Sequence, residues 1–485
     1  MVGGGIHGVA IARDAAQRGL RVRLLEAGDL ASGTSSRTSK LIHGGIRYLE
    51  TGQFGLVREA LRERSILLET APTFVRPLPF VIPQYRGAGR PGSWIALGLT
   101  LYGAFAGRRR LREHLRLDKA ETIALAPALS SENLLGGSLY WDAQMEDAPL
   151  CVAIAIDAVR AGAEVRTYTS LTALRREGGL WRARFRGRSN QEEEEVPARW
   201  IVNAAGPWAD EVRAMALGAS DSSMRRTRGT HLVLPIALGE RALLLTARRD
   251  GRVLFAIPWG QGHTLVGTTD VDDPTPPGAI GPASADVRYL LEEITRVIPA
   301  AAGVRPVRAF GGLRSLARGR SANPWANSRE HRLLWEAGIV TIVGGKYTTH
   351  RSLAERTVDR LVAKLGIPAA TCRTATLPVG EGRDRAIASL RREYPEFLEL
   401  DSGLALSEAE VVHAVRDECA VRLEDVLLRR TRLWLDARAL RRAAEPAAAW
   451  MAPHAGWNAA RAEEEVRSLR ARLDQEEARM EEGLA

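Results

Sequence analysis

Gly3, Gly5 and Gly8 open the chain with the spacing G-x-G-x-x-G, and each glycine has a separate task in holding a dinucleotide. The first permits a tight turn, the second lets a pyrophosphate approach the backbone, and the third lets helix and strand pack closely. The pyrophosphate then sits on unpaired N–H groups where the following helix begins. Glu26 stands at the distance where an acid takes ribose hydroxyls, and its charge disfavours a 2′-phosphate. Next comes a loop of unusual hydroxyl density, Ser32-Gly-Thr-Ser-Ser-Arg-Thr-Ser-Lys40, and then Leu-Ile-His43-Gly44-Gly45. It offers neutral donors to a pyrophosphate and room for a flat ring system.

The elements that must position these residues follow from periodicity. Val9 to Gly19 repeats small apolar residues at helical spacing, and Arg21 to Glu26 reads as a strand, so the opening is a βαβ unit. Only Met1-Val2 precede the first glycine, where such a fold has about five or six strand residues, so a truncated first strand is expected. Phe54 to Leu68 is an amphipathic helix. Ile201 to Ala205 and Ile339 to Val343 read as buried parallel strands, each followed by a glycine turn. Arg252 to Pro258 and Thr264 to Gly267 form an antiparallel hairpin. The run Glu192 to Glu195 reads as a solvated turn between strands. Beyond about residue 376 the composition shifts to Ala, Leu, Arg and Glu, and Arg461 to Glu482 reads as a mixed-charge helix with no obvious apolar face.

The 485 residues are 45% hydrophobic and 26% charged, which excludes disorder over most of the chain. The formal charge of +10 is carried by arginine, because Lys40, Lys119, Lys346 and Lys364 are the only lysines. A nucleic-acid-binding protein would concentrate that charge in a stripe with interleaved aromatics; here it is dispersed, so no nucleic-acid partner is expected. Cys151, Cys372 and Cys419 show no paired or metal-ligand spacing, which points to a reducing compartment and no metal. No secretory leader is read in the first twenty residues. The longest nearly uncharged run, Pro91 to Gly107, has about a dozen strongly apolar positions against the roughly 20 that a spanning helix requires, so no transmembrane helix is expected.

The stretch Ser32 to Glu50 resembles the FAD-dependent glycerol-3-phosphate dehydrogenases of the aerobic, quinone-linked type. So do, in order, Asn203-Ala-Ala-Gly-Pro-Trp208, Arg228-Gly-Thr-His231, Ile257-Pro-Trp259, Gly267-Thr-Thr-Asp270, Gly312-Leu-Arg314, Ser328-Arg-Glu-His331 and Gly344-Gly-Lys-Tyr-Thr-Thr349. The match is specific through about residue 360, and Val421 to Arg432 extends it more loosely. Ser315 stands where the family pattern has proline.

The resemblance implies an α/β fold, with an FAD-binding Rossmann-like domain (1–75, 140–215 and 305–365) intertwined with an antiparallel-sheet substrate domain (76–139 and 216–304). A C-terminal helical domain occupies 370–485. It implies FAD as cofactor, sn-glycerol 3-phosphate as substrate, dihydroxyacetone phosphate as product and a quinone as electron acceptor. FAD would be held by Gly3, Gly5, Gly8, Glu26, Thr34, Ser35, Ser36, Lys40, His43, Gly44, Gly45, Ala205, Gly206, Gly345, Lys346 and Tyr347.

Guanidinium forks match phosphate oxygens, and Arg47, Arg314 and Arg329 fall within family-like motifs, with Tyr48 beside the first. His231 is the first choice as proton acceptor because a neutral imidazole titrates near working pH; Lys346 is the second, and its charge also suits a reduced flavin. Arg314, His231 and Lys346 are therefore the expected catalytic set. Asp270 is expected to brace its loop, and His7 has no assigned role. An oxidase passing electrons to oxygen, or an amino-acid-oxidase relative, remains an alternative. Because quinone lives in the bilayer, peripheral attachment to the cytoplasmic face of the membrane is expected, and Trp94 to Phe105 followed by Arg108 to Arg112 is the candidate surface. A homodimer is left open.

Overall fold

The computed structural model describes residues 1–485 except 88, 188–192, 219–221, 261, 318–330, 401–402 and 485. The helices that matter to the site are, in chain order, α1 (Ile6–Gln17), α2 (Phe54–Thr70), α3 (Gly92–Ala106), α4 (Asp147–Arg160), α5 (His350–Leu365), α6 (Leu423–Arg429), α7 (Ala437–Ala455) and α8 (Ala459–Leu484). Small side chains shape the first layer: Val9, Ile11 and Ala12 of α1 are fully buried, and the helix lies against α4 and α5. Beneath it, two parallel strand pairs meet. Arg23–Leu25 pairs with Glu164–Arg166, and Ile201–Asn203 with Ile339–Val343. Val2 joins them by bridging Leu25 on one side and Asn203 on the other. Its N–H donates to Val202 O at 2.9 Å, and Gly3 N–H donates to Leu25 O at 2.9 Å. At the place of the expected first strand, Val2 makes this bridge.

A ten-stranded, mostly antiparallel sheet forms the second layer. Met224–Leu234 pairs with Arg308–Ala317 on one edge and His263–Gly267 on the other, and Val253–Trp259 closes the expected hairpin with His263–Gly267. Two domain boundaries expected from sequence fall at strands of this sheet: Leu134–Met145 runs through residue 140, and Arg308–Ala317 lies just beyond 305.

Two local readings are corrected. Glu193 to Glu195 belong to a strand, Glu193–Ala198, rather than a turn. The neighbouring strand places Arg186 opposite Glu193 and Arg184 opposite Glu195, so the acidic run is neutralised across the strand pair. Helix α8 does possess an apolar stripe: Val466, Leu469, Leu473 and Met480 are buried at helical spacing.

The C-terminal helices continue the core of the large sheet. Leu433, Trp434 and Leu435 share one buried cluster with Phe80, Trp259 and Phe310. Asp29 is tied by ion pairs to Arg429 and Arg430 at the end of α6, and all three residues are buried. The three cysteines are free. Among the described residues no helix is long and apolar enough to cross a membrane.

Candidate active site

A cavity of about 760 Å³ runs from the glycine turn to the large sheet. Gly3 forms its floor with φ +102°, and a Cβ there would lie 2.5 Å from Ala204 O, so only glycine suits the turn. Gly5 lines the cavity and precedes α1; Gly8 lies behind it, packed on the Gly3 carbonyl. Glu26 is also at the wall. Its Oε2 accepts from Gly4 N–H at 2.6 Å and its Oε1 from Gly28 N–H at 2.8 Å, yet burial pushes its carboxyl above the usual range.

The hydroxyl-rich loop divides into two sets. Thr34 and Ser35 line the cavity; Thr34 Oγ1 donates to Leu313 O at 2.7 Å, and Ser35 Oγ accepts the Ile6 N–H at 2.9 Å. Ser36, Gly44 and Gly45 lie outside the lining. Gly44 N–H donates to Tyr102 Oη at 2.8 Å, and Gly45 packs beneath the Tyr48 ring. Lys40 also lies outside it, only 2% exposed, with Nζ 2.5 Å from Asp147 Oδ1. The reason is electrostatic: a buried ammonium requires a buried carboxylate, and Asp147 at the start of α4 supplies one.

His43, Ala205, Gly206, Gly345, Lys346 and Tyr347 line the cavity. The Lys346 ammonium lies 3.4 Å from the centre of the Tyr48 ring, and Tyr48 lines the cavity too. Tyr347 Oη donates to Asp147 O. Arg47 is half-buried in the short turn Ile46–Leu49, outside the wall. Arg329 lies outside the described residues.

His231 and Arg314 meet the cavity from paired strands. Arg314 Nη1 donates to Thr269 O at 2.9 Å and faces Asp270 Oδ1 at 3.3 Å; Nη2 donates to Thr268 Oγ1 at 2.8 Å. Asp270 thus braces the loop beside the guanidinium. His231 Nε2 lies 2.9 Å from Ser39 Oγ, and its ring stacks on Phe310 with centroids 5.1 Å apart. A Cβ on Gly267 would strike that ring, which explains glycine at that strand position. Burial, then the charges of Arg314 and Lys40, hold the His231 pKa well below the ordinary histidine value.

Sequence reasoning did not single out Ser39, Phe310 or Thr348. Ser39 lies within the loop already marked as hydroxyl-rich; Phe310, remote from His231 in sequence, gives no signal until the register Phe310 to His231 is known. His7 lines the cavity, and burial lowers its pKa to about 4.

The cavity fits a flavin dinucleotide. The glycine cradle, the start of α1, the Glu26 carboxylate, His231 and Arg314 all line it. His231 Nδ1 and His7 Nε2 are buried atoms with no hydrogen-bond partner among the described residues, as expected of groups that await a ligand.

Residues 1–351 match the family model described as FAD dependent oxidoreductase, and residues 339–462 match the C-terminal domain of alpha-glycerophosphate oxidase. A glycerol-3-phosphate dehydrogenase of Mycobacterium leprae is 36% identical, over 98% of this chain and 88% of the relative. The aerobic glycerol-3-phosphate dehydrogenase of Escherichia coli is 35% identical, over 90% of this chain and 94% of the relative. A solved glycerol-3-phosphate dehydrogenase from Bacillus halodurans, complexed with FAD, superposes with a TM-score of 0.74 at 25% identity, covering 97% of this chain and 93% of that one.

Proposed function

The chain belongs to the FAD-dependent oxidoreductase family, and from that premise we propose that it oxidises the C2 hydroxyl of sn-glycerol 3-phosphate to the ketone of dihydroxyacetone phosphate, with a membrane quinone as final acceptor. The observation that carries the reading is that His231 and Arg314, on paired strands, line the same cavity as the glycine turn and Glu26.

Bound FAD supplies the two-electron acceptor for the hydride leaving C2. Glu26 would accept hydrogen bonds from the ribose, and Gly5, Thr34, Ser35, Ala205 and Gly206 would hold the pyrophosphate and ribityl chain. His43, Gly345, Lys346 and Tyr347 would hold the ring system, with Lys346 supplying positive charge. Arg314 grips the substrate phosphate, joined in this reading by Arg47, Tyr48 and Arg329. His231 removes the hydroxyl proton. With Nε2–H donating to Ser39 Oγ, the lone pair is on Nδ1, and the depressed pKa keeps it available at neutral pH. Lys346 is the second candidate for that step.

Contact with lipid falls to α3. Trp94, Leu97 and Leu101 are 65%, 51% and 39% exposed, whereas Leu99, Tyr102 and Ala106 of the same helix are buried. Arg108, Arg109, Arg110 and Arg112 follow as an exposed cationic cluster, so apolar insertion and attraction to anionic headgroups act together at the cytoplasmic face.

The test is anaerobic mixing of the FAD-loaded protein with sn-glycerol 3-phosphate while the flavin absorbance is followed. Bleaching is expected, and a quinone analogue is expected to restore the colour faster than oxygen does. No bleaching with this substrate, but bleaching with an amino acid, overturns the reading; faster recovery with oxygen assigns an oxidase.

A further inference from the structure

His231 is held from two directions, and both lead to one side chain of the C-terminal region. The first support is Ser39, whose Oγ lies 2.9 Å from Nε2. The second is Phe310, whose ring lies nearly parallel to the imidazole, at 15° and 5.1 Å. Behind Phe310 stands Trp434, edge-on at 88° with centroids 6.0 Å apart. Behind Ser39 the next residue is Lys40, and its ammonium lies 4.0 Å from the centre of the same Trp434 ring.

Each link is confined. Lys40, Trp434, Phe310 and His231 are all buried. The Lys40 ammonium is fixed by Asp147 at 2.5 Å, and Asp147 also accepts from Thr38 Oγ1 at 2.8 Å, so the Thr38–Lys40 backbone moves with that charge. A cation against an indole face in the absence of water is a strong, directional contact. Trp434 is itself pinned: Arg308 Nη1 donates to its carbonyl, and its ring meets Trp259 edge-on at 5.2 Å. The residues before it fasten the turn to the dinucleotide-binding part, with Arg429 and Arg430 on Asp29 and Arg432 Nε 2.7 Å from Glu146 Oε1.

We infer that Trp434 is a positioning residue for the reaction: it holds Phe310 and Lys40, and through them sets the place of the His231 imidazole at the cavity. The C-terminal helical region is then part of the catalytic apparatus. This rests on His231 as proton acceptor.

The test compares the full-length FAD-loaded protein with Trp434→Leu, Trp434→Phe, His231→Ala and the His231→Ala/Trp434→Leu double variant. The readouts are FAD content, the substrate dissociation constant and the limiting rate of flavin reduction. An imidazole displaced by about 1 Å is expected to slow Trp434→Leu by up to about a hundredfold while the dissociation constant stays within about threefold. Trp434→Phe keeps an aromatic face for both neighbours and is expected to recover most of the rate. The double variant is expected to be no slower than His231→Ala alone.

A wild-type rate in Trp434→Leu, a phenylalanine variant no better than leucine, or a further slowing in the double variant overturns the inference. If Trp434→Leu does not fold, Phe310→Leu interrupts the same path one residue nearer, and a wild-type rate there overturns it. A fast His231→Ala removes the proton-acceptor reading and this inference with it; a slow His231→Ala beside a fast Trp434→Leu removes this inference alone.

Discussion

At the residue scale, the cavity assigns different work to two groups that stand close together. Arg314 is pre-set by Thr268, Thr269 and Asp270, so its fork is held before any phosphate arrives. Removing it takes away charge-assisted hydrogen bonds of about 2 kcal/mol, which is roughly thirtyfold in substrate affinity. In the proposed reaction His231 acts instead at the step that moves a proton, an effect of about 10²–10⁴ in rate. Arg314→Ala is therefore expected chiefly to raise the substrate dissociation constant, and His231→Ala chiefly to slow flavin reduction, both measured by anaerobic stopped flow. Equal, negligible effects would remove both assignments. The sequence made these two residues visible because each sits inside a short motif. It also marked Lys40, which the fold turns away from the cavity; that placement depends on Asp147, more than a hundred residues later, and no local pattern announces the partner.

At the element scale, periodicity served well where neighbours in sequence are neighbours in space. The helix over Phe54–Thr70 and the hairpin ending at Gly267 are of that kind. It failed where partners are remote. Glu192 to Glu195 read as a turn in isolation, but Glu193, Glu194 and Glu195 lie in a strand, two of them opposite arginines of the preceding one; Glu192 lies outside the described residues. In α8 the mixed charges obscure Val466, Leu469, Leu473 and Met480, whose burial depends on α7 and the large sheet. Helix α3 is the opposite case: its apolar residues surround the axis, yet only Leu99, Tyr102 and Ala106 find a buried face. In the proposed docking to lipid, exposed Trp94 and Leu97 meet the apolar interior and the arginines that follow meet anionic headgroups. Trp94→Ser/Leu97→Ser is expected to lose cosedimentation with vesicles containing anionic phospholipid while flavin reduction in solution is unchanged. Retained binding by this variant would remove α3 as the docking surface.

At the scale of the whole molecule, several arginines form internal joints. Arg351 holds Glu63, Arg64 holds Asp142, and Arg429 with Arg430 holds Asp29 across the join to the C-terminal region. Each such joint sets a guanidinium against a carboxylate, so the +10 lies in arginines beyond them. The buried guanidinium groups also act on the histidines near them. His350 is 2% exposed; burial lowers its pKa to about 3, and the charges of Arg351 and Arg13 act in the same direction against the hydrogen bond to Tyr347 O. In the unfolded chain the same ring takes a proton near 6.5. Between those two values the unfolded state binds more protons than the folded one, so stability is fully present above about pH 6.5 and falls as pH drops toward the folded value. At pH 5 the loss from this one ring is about 2 kcal/mol. Carboxyls with raised values, Glu26 and Asp157 among them, act in the opposite sense, so the effect must be read as a difference between proteins. His350→Gln is expected to lose about 2 kcal/mol less than the parent between pH 7 and pH 5, measured by urea unfolding of the FAD-loaded forms at both pH values. Parallel losses in the two proteins would mean that His350 is not held neutral by the fold.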